Sequence, residues 1–211
     1  MILYEYALSS ASYRVRIALA LKGLTARSVS IRLREDEHRS GDYLALNPQG
    51  FVPALALGDE PGGTVLTQSL AILEYLEETH PEPALLPRDP AARAHTRALC
   101  ELIACDVHPL NNLRVLRYLE RELGLGEEAR RRWYAHWVSE GFTAFEQWLS
   151  RSAPQRYCCG DAPTLADVCL VPQVANARRF SVDLTPFSRI VAIDAACALI
   201  PAFAGAAPRK P

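Results

Sequence analysis

Ser9-Ser10-Ala11-Ser12-Tyr13-Arg14-Val15-Arg16-Ile17-Ala18-Leu19 stands where one hydrophobic period gives way to another. Before it, Ile2-Leu3-Tyr4-Glu5-Tyr6 reads as a short apolar strand. After it, Val15, Leu19 and Lys22 recur at helical spacing, with Ile17, Ala18 and Leu21 on the same side. Gly23 then stops the helix, as glycine does just past a C-terminus. Hydroxyl residues therefore sit where a strand turns into a helix. A helix start exposes unpaired backbone N–H groups and the positive end of the macrodipole. Such a place stabilises an anion, whether phosphate, carboxylate or thiolate, and a serine hydroxyl there adds one more donor. The same serines also suit a plain N-cap. The stretch by itself leaves both readings open.

Downstream, Val29 and Ile31 alternate with polar neighbours over residues 26–32, a second strand. Strand, helix and strand make a βαβ unit with parallel strands. Residues 33–42 are polar and charged, a loop or short irregular helix, and Asn47-Pro48-Gln49-Gly50 is turn chemistry. A third strand over 51–57 carries Pro53 near its start, where a residue without an N–H belongs. A cis Val52–Pro53 bond also fits there, and composition leaves the isomer open. Residues 58–63 form a hairpin turn and 64–66 a fourth strand. Gln68-Ser69 precede an amphipathic helix over 70–79, with Leu70, Ile72, Leu73 and Leu76 on its buried side. The order is βαβ, then ββα, with a mixed sheet and two helix N-termini near one another.

Pro81, Pro83, Pro87 and Pro90 then break the pattern as a stiff linker. Beyond them strand signals disappear and helical periodicity spans 91–106, 109–123, 127–151, 165–179 and 189–199. Thr164-Leu165-Ala166-Asp167 is a capping-box variant, read as structural. The 211 residues allow one large domain or two small ones, and 49% hydrophobic with 22% charged residues marks a globular chain. A net charge of -1 gives no electrostatic case for nucleic acid or an anionic membrane. The six cysteines include no Cys-x-x-Cys pair, so no metal is expected. No signal peptide opens the chain, and the apolar tail over 190–207 carries Asp194, Pro201 and Gly205, which argues against a span. A reduced, cytoplasmic protein is the expectation.

Several motifs together carry a family resemblance: Ser9-Ser10-x-x-x-Arg14-Val15-Arg16-Ile17-Ala18-Leu19, Ala45-Leu46-Asn47-Pro48-x-x-x-Val52-Pro53 and Gln68-Ser69-Leu70-Ala71-Ile72. The helical half adds His108-Pro109-Leu110-Asn111-Asn112-Leu113-Arg114 and Gly160-Asp161-x-x-Thr164-Leu165-Ala166-Asp167, running on to Arg179-Phe180. Nearly end to end, the chain resembles the cytosolic glutathione transferases, and among them the zeta class, whose namesake activity is maleylacetoacetate isomerase. The resemblance implies an α/β, thioredoxin-like N-terminal domain with a mixed four-stranded sheet (1–80), a linker (81–90) and an all-α C-terminal domain (91–211). It implies a homodimer and glutathione as cofactor.

By the same resemblance, Ser9, with Ser10 and Ala11 beside it, meets the glutathione thiolate at the helix start. Pro53 is cis and Val52 offers its backbone to the cysteinyl unit. Gln68 and Ser69 hold the γ-glutamyl carboxylate, and His38 reaches the glycyl end. His108, Asn112 and Arg114 line the site from the helical half, Arg114 and Arg179 being candidates for a substrate carboxylate. On the residues alone, His38 in its charged loop would be solvated, His108 before Pro109 would be a packed helix-end histidine, and Arg179 would lie on a solvated face. Arg14 and Arg16 are given no catalytic role, and Arg16 is expected to be structural. Two departures stand out: Ala11 replaces a common cysteine, and Leu8 replaces a common arginine. The implied reaction is cis–trans isomerisation by thiolate addition, bond rotation and elimination. The alternatives are a glutathione S-transferase acting on electrophiles such as α-haloacids, and a non-catalytic binding protein on the same fold.

Overall fold

The computed structural model describes residues 1–58, 62–151, 153 and 155–208. Among these residues a four-stranded sheet has the order β2-β1-β3-β4, with β1 Ile2–Glu5, β2 Arg27–Ser30, β3 Ala54–Ala56 and β4 Val65–Thr67. β1 runs parallel to β2, with Ile2 opposite Arg27, and antiparallel to β3, with Leu3 opposite Leu55. β3 and β4 are antiparallel. The mixed βαβ–ββα sheet is the one the sequence implied. The inner strands are apolar because both faces are covered: Ile2, Leu3, Ala54 and Leu55 are buried. The third strand is shorter than 51–57, since Pro53 has no N–H for a ladder. The expected hairpin turn at 58–63 falls partly on residues 59–61, outside the described residues.

Helix α1 (Ser10–Leu21) closes in a Schellman motif. Leu24 N–H donates to Leu19 O at 2.8 Å and Gly23 N–H to Ala20 O at 3.1 Å, with Gly23 at φ +65°. Between Ser40 and Asn47 runs a short helix, α2 (Gly41–Leu46), too brief to show a period in sequence. Helix α3 (Ser69–Thr79) packs beside α1. Val15, Ile17, Ala18, Ile72, Leu73 and Leu76 are buried in this layer. The larger of these side chains each contribute about 1.5–3 kcal/mol as an upper bound. One buried ion pair spans it: Lys22 Nζ donates to Glu77 Oε2 at 2.6 Å and to Pro83 O at 2.8 Å. Glu77 Oε2 also accepts from Leu85 N–H at 3.0 Å, clipping the proline-rich segment to α1 and α3.

The chain divides into two compact units, Met1–Leu85 with the segment from Ile200, and Leu86–Leu199. Residues 200–208, grouped on sequence with the helical part, thus belong with the sheet. The cause is a short helix, α9 (Pro201–Ala206), that the sequence did not mark, with Pro201 at its first position. Tyr13 Oη donates to Phe203 O at 3.0 Å and Arg16 Nε to Ala206 O at 2.9 Å. Arg16 also pairs with the Glu5 carboxylate, so it is structural.

The second unit holds α4 (Pro90–Glu101), α5 (Leu113–Arg121), α6 (Glu127–Ser150), α7 (Leu165–Arg179) and α8 (Ser188–Ala198). Helix α4 begins with Asp89 accepting from Ala92 N–H at 2.8 Å. It does not run on as α-helix to 106; it opens into a π-helical turn, Leu102–Val107, followed by a 3-10 turn, His108–Asn111. The helix expected over 109–123 therefore starts late, after Asn112 in an extended conformation. Helix α7 is buried almost all round. At its start, Asp167 Oδ2 accepts from Thr164 N–H at 2.8 Å and Oδ1 from Cys158 N–H at 2.9 Å. Burial pushes the Asp167 carboxyl above its ordinary value, and these bonds pull against that. All six cysteines are free. No helix among the described residues is long and apolar enough to cross a membrane.

Candidate active site

Ser9 is the N-cap of α1, extended at φ -74° and ψ 121°. Its Oγ accepts from Ser12 N–H at 3.2 Å, and its own N–H donates to Tyr6 O at 2.9 Å. The cap therefore uses Ser9 as an acceptor and leaves the hydroxyl proton to donate elsewhere. Capping and anion binding are compatible at this residue. Ser10 Oγ is buried with no hydrogen-bond partner among the described residues, and Ala11 is buried beside it. Leu8, half-buried, brings no charge to this end of the helix.

The start of α3 holds a second group of donors. Gln68 is exposed and takes φ +66°, a left-handed conformation costing a non-glycine residue roughly 1 kcal/mol or more. Its Nε2 donates to Gln49 Oε1 at 2.7 Å. Ser69 is 7% exposed and its Oγ accepts from Arg14 Nη1 at 3.1 Å. Arg14 itself is 1% exposed. Its Nε and Nη2 meet no acceptor, and it has no acidic partner, among the described residues. Sequence reasoning misses Arg14. The signal available is a lone cation three and four residues before Ile17 and Ala18, on the side of the helix they bury.

Between the two helices in sequence lies the Val52–Pro53 segment, whose peptide bond is cis. The Phe51 carbonyl just before it accepts from Tyr43 Oη at 2.6 Å and Asn47 Nδ2 at 2.8 Å. Burial is the main reason the Tyr43 hydroxyl is pushed up to about 12; Tyr4 adds to it and the Asn47 bond opposes it. His38 is not solvated: it is 9% exposed in a 3-10 turn, with Nε2 4.0 Å from Asp36 Oδ1. Its charged neighbours take the solvent while the imidazole turns inward.

In the second unit, His108, Asn112 and Arg114 fall within a short run of chain. His108 Nε2 lies 3.4 Å from Asn112 Nδ2, and Asn112 Oδ1 caps α5 by accepting from Arg114 N–H at 3.1 Å. Arg114 stands exposed in the first turn of α5, where the helix dipole disfavours a cation. Helix formation therefore gives no reason for an arginine at this position. Arg179 is different. It ends α7, where a cation suits the dipole, and its guanidinium lies 5.2 Å from the Phe180 ring centre. Phe180 stacks on Tyr134 at 3.9 Å, and burial pushes the Tyr134 hydroxyl up. Among the described residues no group of acids, histidines and cysteines is arranged to hold a metal.

The two helix starts and the buried guanidinium of the first unit suit anionic groups, and comparison with known proteins gives them a lineage. The family profile "Glutathione S-transferase, N-terminal domain" matches residues 8–79, and "Glutathione S-transferase, C-terminal domain" matches 131–195. The maleylacetoacetate isomerase of Rhizobium meliloti (strain 1021) is 50% identical over 209 residues, covering 99% of this chain and 96% of that one. A solved holo maleylpyruvate isomerase, described as a bacterial glutathione S-transferase of the zeta class, superposes with a TM-score of 0.94 at 49% identity, covering 99% of this chain and 97% of its own. The maleylacetoacetate isomerase of Methylobacterium extorquens AM1, solved with malonate and glutathione, gives a TM-score of 0.94 at 40% identity, with 100% and 98% covered. With both family profiles matched and half its residues shared across the full length, this chain belongs to the glutathione transferase family, in the zeta class with the maleylacetoacetate isomerases.

Proposed function

We propose that this chain is a glutathione-dependent cis–trans isomerase of maleyl keto acids such as maleylacetoacetate or maleylpyruvate. Full-length relatives at about half identity carry those names. Within this chain, the observation that carries the reading is the buried Arg14 guanidinium, bonded to Ser69 at the start of α3 and lacking any acid among the described residues. Such a cradle fits a carboxylate, and glutathione has two.

Ser69 and Gln68, the latter held by Gln49, would take the γ-glutamyl carboxylate, with Arg14 behind them. Val52 would meet the cysteinyl unit through its backbone, and His38 the glycyl end. Bound glutathione supplies a thiolate for reversible addition to a cis double bond conjugated with a ketone. Ser9 donates its remaining hydroxyl proton to that sulfur. With the positive end of α1 behind it, this favours ionisation of a thiol whose ordinary pKa is about 8.5. Arg114 grips the substrate carboxylate, His108 and Asn112 fix the turn that presents it, and Arg179 is a second candidate grip. On this reading residues 1–80 bind glutathione and the helical residues from 91 onward supply the substrate contacts. The protein is cytoplasmic and a homodimer, the latter checked by sedimentation velocity.

Proton NMR of a maleyl keto acid with substoichiometric glutathione tests the reaction. Complete conversion of the maleyl vinyl signals to fumaryl ones, with glutathione unspent, is expected. Stoichiometric loss of glutathione into a thioether, with turnover of an α-haloacid, would make the protein a conjugating transferase. Failure to bind glutathione at all would leave a non-catalytic binding protein.

A further inference from the structure

We propose that Gly141 is a positioning residue that locks the π-helical turn Leu102–Val107 and thereby sets where His108, Asn112 and Arg114 stand. The inference rests on the proposed role of these three residues in the site. Gly141 lies in the middle of α6, where glycine is a poor helix former, so its presence calls for a packing reason. The reason is visible. A Cβ added at Gly141 would overlap Val107 Cγ2 and lie 3.5 Å from Val107 Cβ and 3.7 Å from Leu102 Cδ2. Val107 is 1% exposed and β-branched, so it cannot swing aside.

The atoms nearest to such a Cβ come from the two ends of the π turn, separated by one π hydrogen-bond step. In an ordinary α-helix residues at that separation point about 140° away from one another and would not share one small neighbour. The notch at Gly141 therefore fits the π register and not the α register. A π turn differs from α-helix by one extra residue, and dropping it would rotate the downstream chain by about 100°. Immediately downstream stand the turn His108–Asn111 and then Asn112 and Arg114 at the start of α5. A glycine on a neighbouring helix thus decides which way the substrate-holding turn faces.

The test compares Gly141→Ala, Val107→Ala and the double variant Gly141→Ala/Val107→Ala with the parent. In Gly141→Ala, kcat/KM for isomerisation should fall by about a hundredfold, the usual cost of a misplaced positioning group. The double variant, with the Val107 methyls removed, should recover most of that loss and keep the parent's glutathione dependence. Should Gly141→Ala not fold, the double variant still decides: a folded protein with parent-like activity supports the steric lock, and a folded protein without activity overturns it. A crystal structure of the single variant reads the register directly, independently of any activity. Residues 102–107 in the π register with His108–Arg114 unmoved would overturn the proposal even if the parent proved not to be an isomerase. Unchanged kcat/KM in Gly141→Ala would overturn it too.

Discussion

Arg14 holds a positive charge almost wholly out of water, with Nη1 donating to the Ser69 hydroxyl. Burying a cation without a carboxylate costs several kcal/mol, so the folded protein alone does not justify it. Replacing it with an uncharged side chain of similar length should therefore move stability and binding in opposite directions. Arg14→Met should melt no lower than the parent, by calorimetry. Its glutathione affinity should drop about ten- to a hundredfold, the worth of a hydrogen bond to a charged group. A lower melting temperature with unchanged affinity would make Arg14 a core residue and nothing more. Tyr43 gives a prediction with pH. Its hydroxyl holds its proton more tightly folded than unfolded, at about 12 against an ordinary 10.0. It contributes stability that is present below pH 10.0 and lost as pH rises through about 12. In Tyr43→Phe that loss should vanish, so the stability curves of parent and variant should converge over this window. Curves that stay parallel would contradict the assignment.

At the level of elements, the Lys22–Glu77 pair joins the end of α1, the last turns of α3 and the backbone at Pro83 and Leu85. Glu77→Ala leaves the Lys22 ammonium buried without a carboxylate, which costs about 3–5 kcal/mol and about ten degrees in melting temperature. The double variant Lys22→Met/Glu77→Leu should restore most of it, as apolar replacements of whole pairs do. A single variant that melts with the parent would show the pair to be dispensable. The elements also show how far local sequence carries structure. The strands, α1, α3, α6 and α7 are legible because each repeats its period over enough residues or closes with a recognisable cap. Helices α2 and α9 are not, because each is too short to establish a period. The π turn is hidden because helical spacing over 91–106 runs straight into it, and only the helix packed across from it betrays the extra residue. In the candidate site, Ser9, Gln68 and Ser69 are legible as helix starts. His38 is not, since its inward turn depends on contacts outside its own segment. Arg14 is given no role on sequence because nothing local marks a cation within an apolar helix as buried.

For the molecule as a whole, a net charge of -1 supplies no long-range field to draw an anionic substrate, so recognition falls to single local cations. Two are singled out by their surroundings: Arg14, buried without an acid among the described residues, and Arg114, set against the dipole of α5. This chain is expected to turn a thiol cofactor into a nucleophile at the start of α1 and to return it unspent. Measured spectrophotometrically, maleylacetone should isomerise only when glutathione is present. The Ser9→Ala variant should be slower by about a hundredfold, the usual loss on removing one donor from a developing or resident anion. Its folding should change little, because a lost N-cap costs about 1 kcal/mol. Conversion that proceeds without glutathione, or a folded Ser9→Ala enzyme as fast as its parent, would contradict the claim.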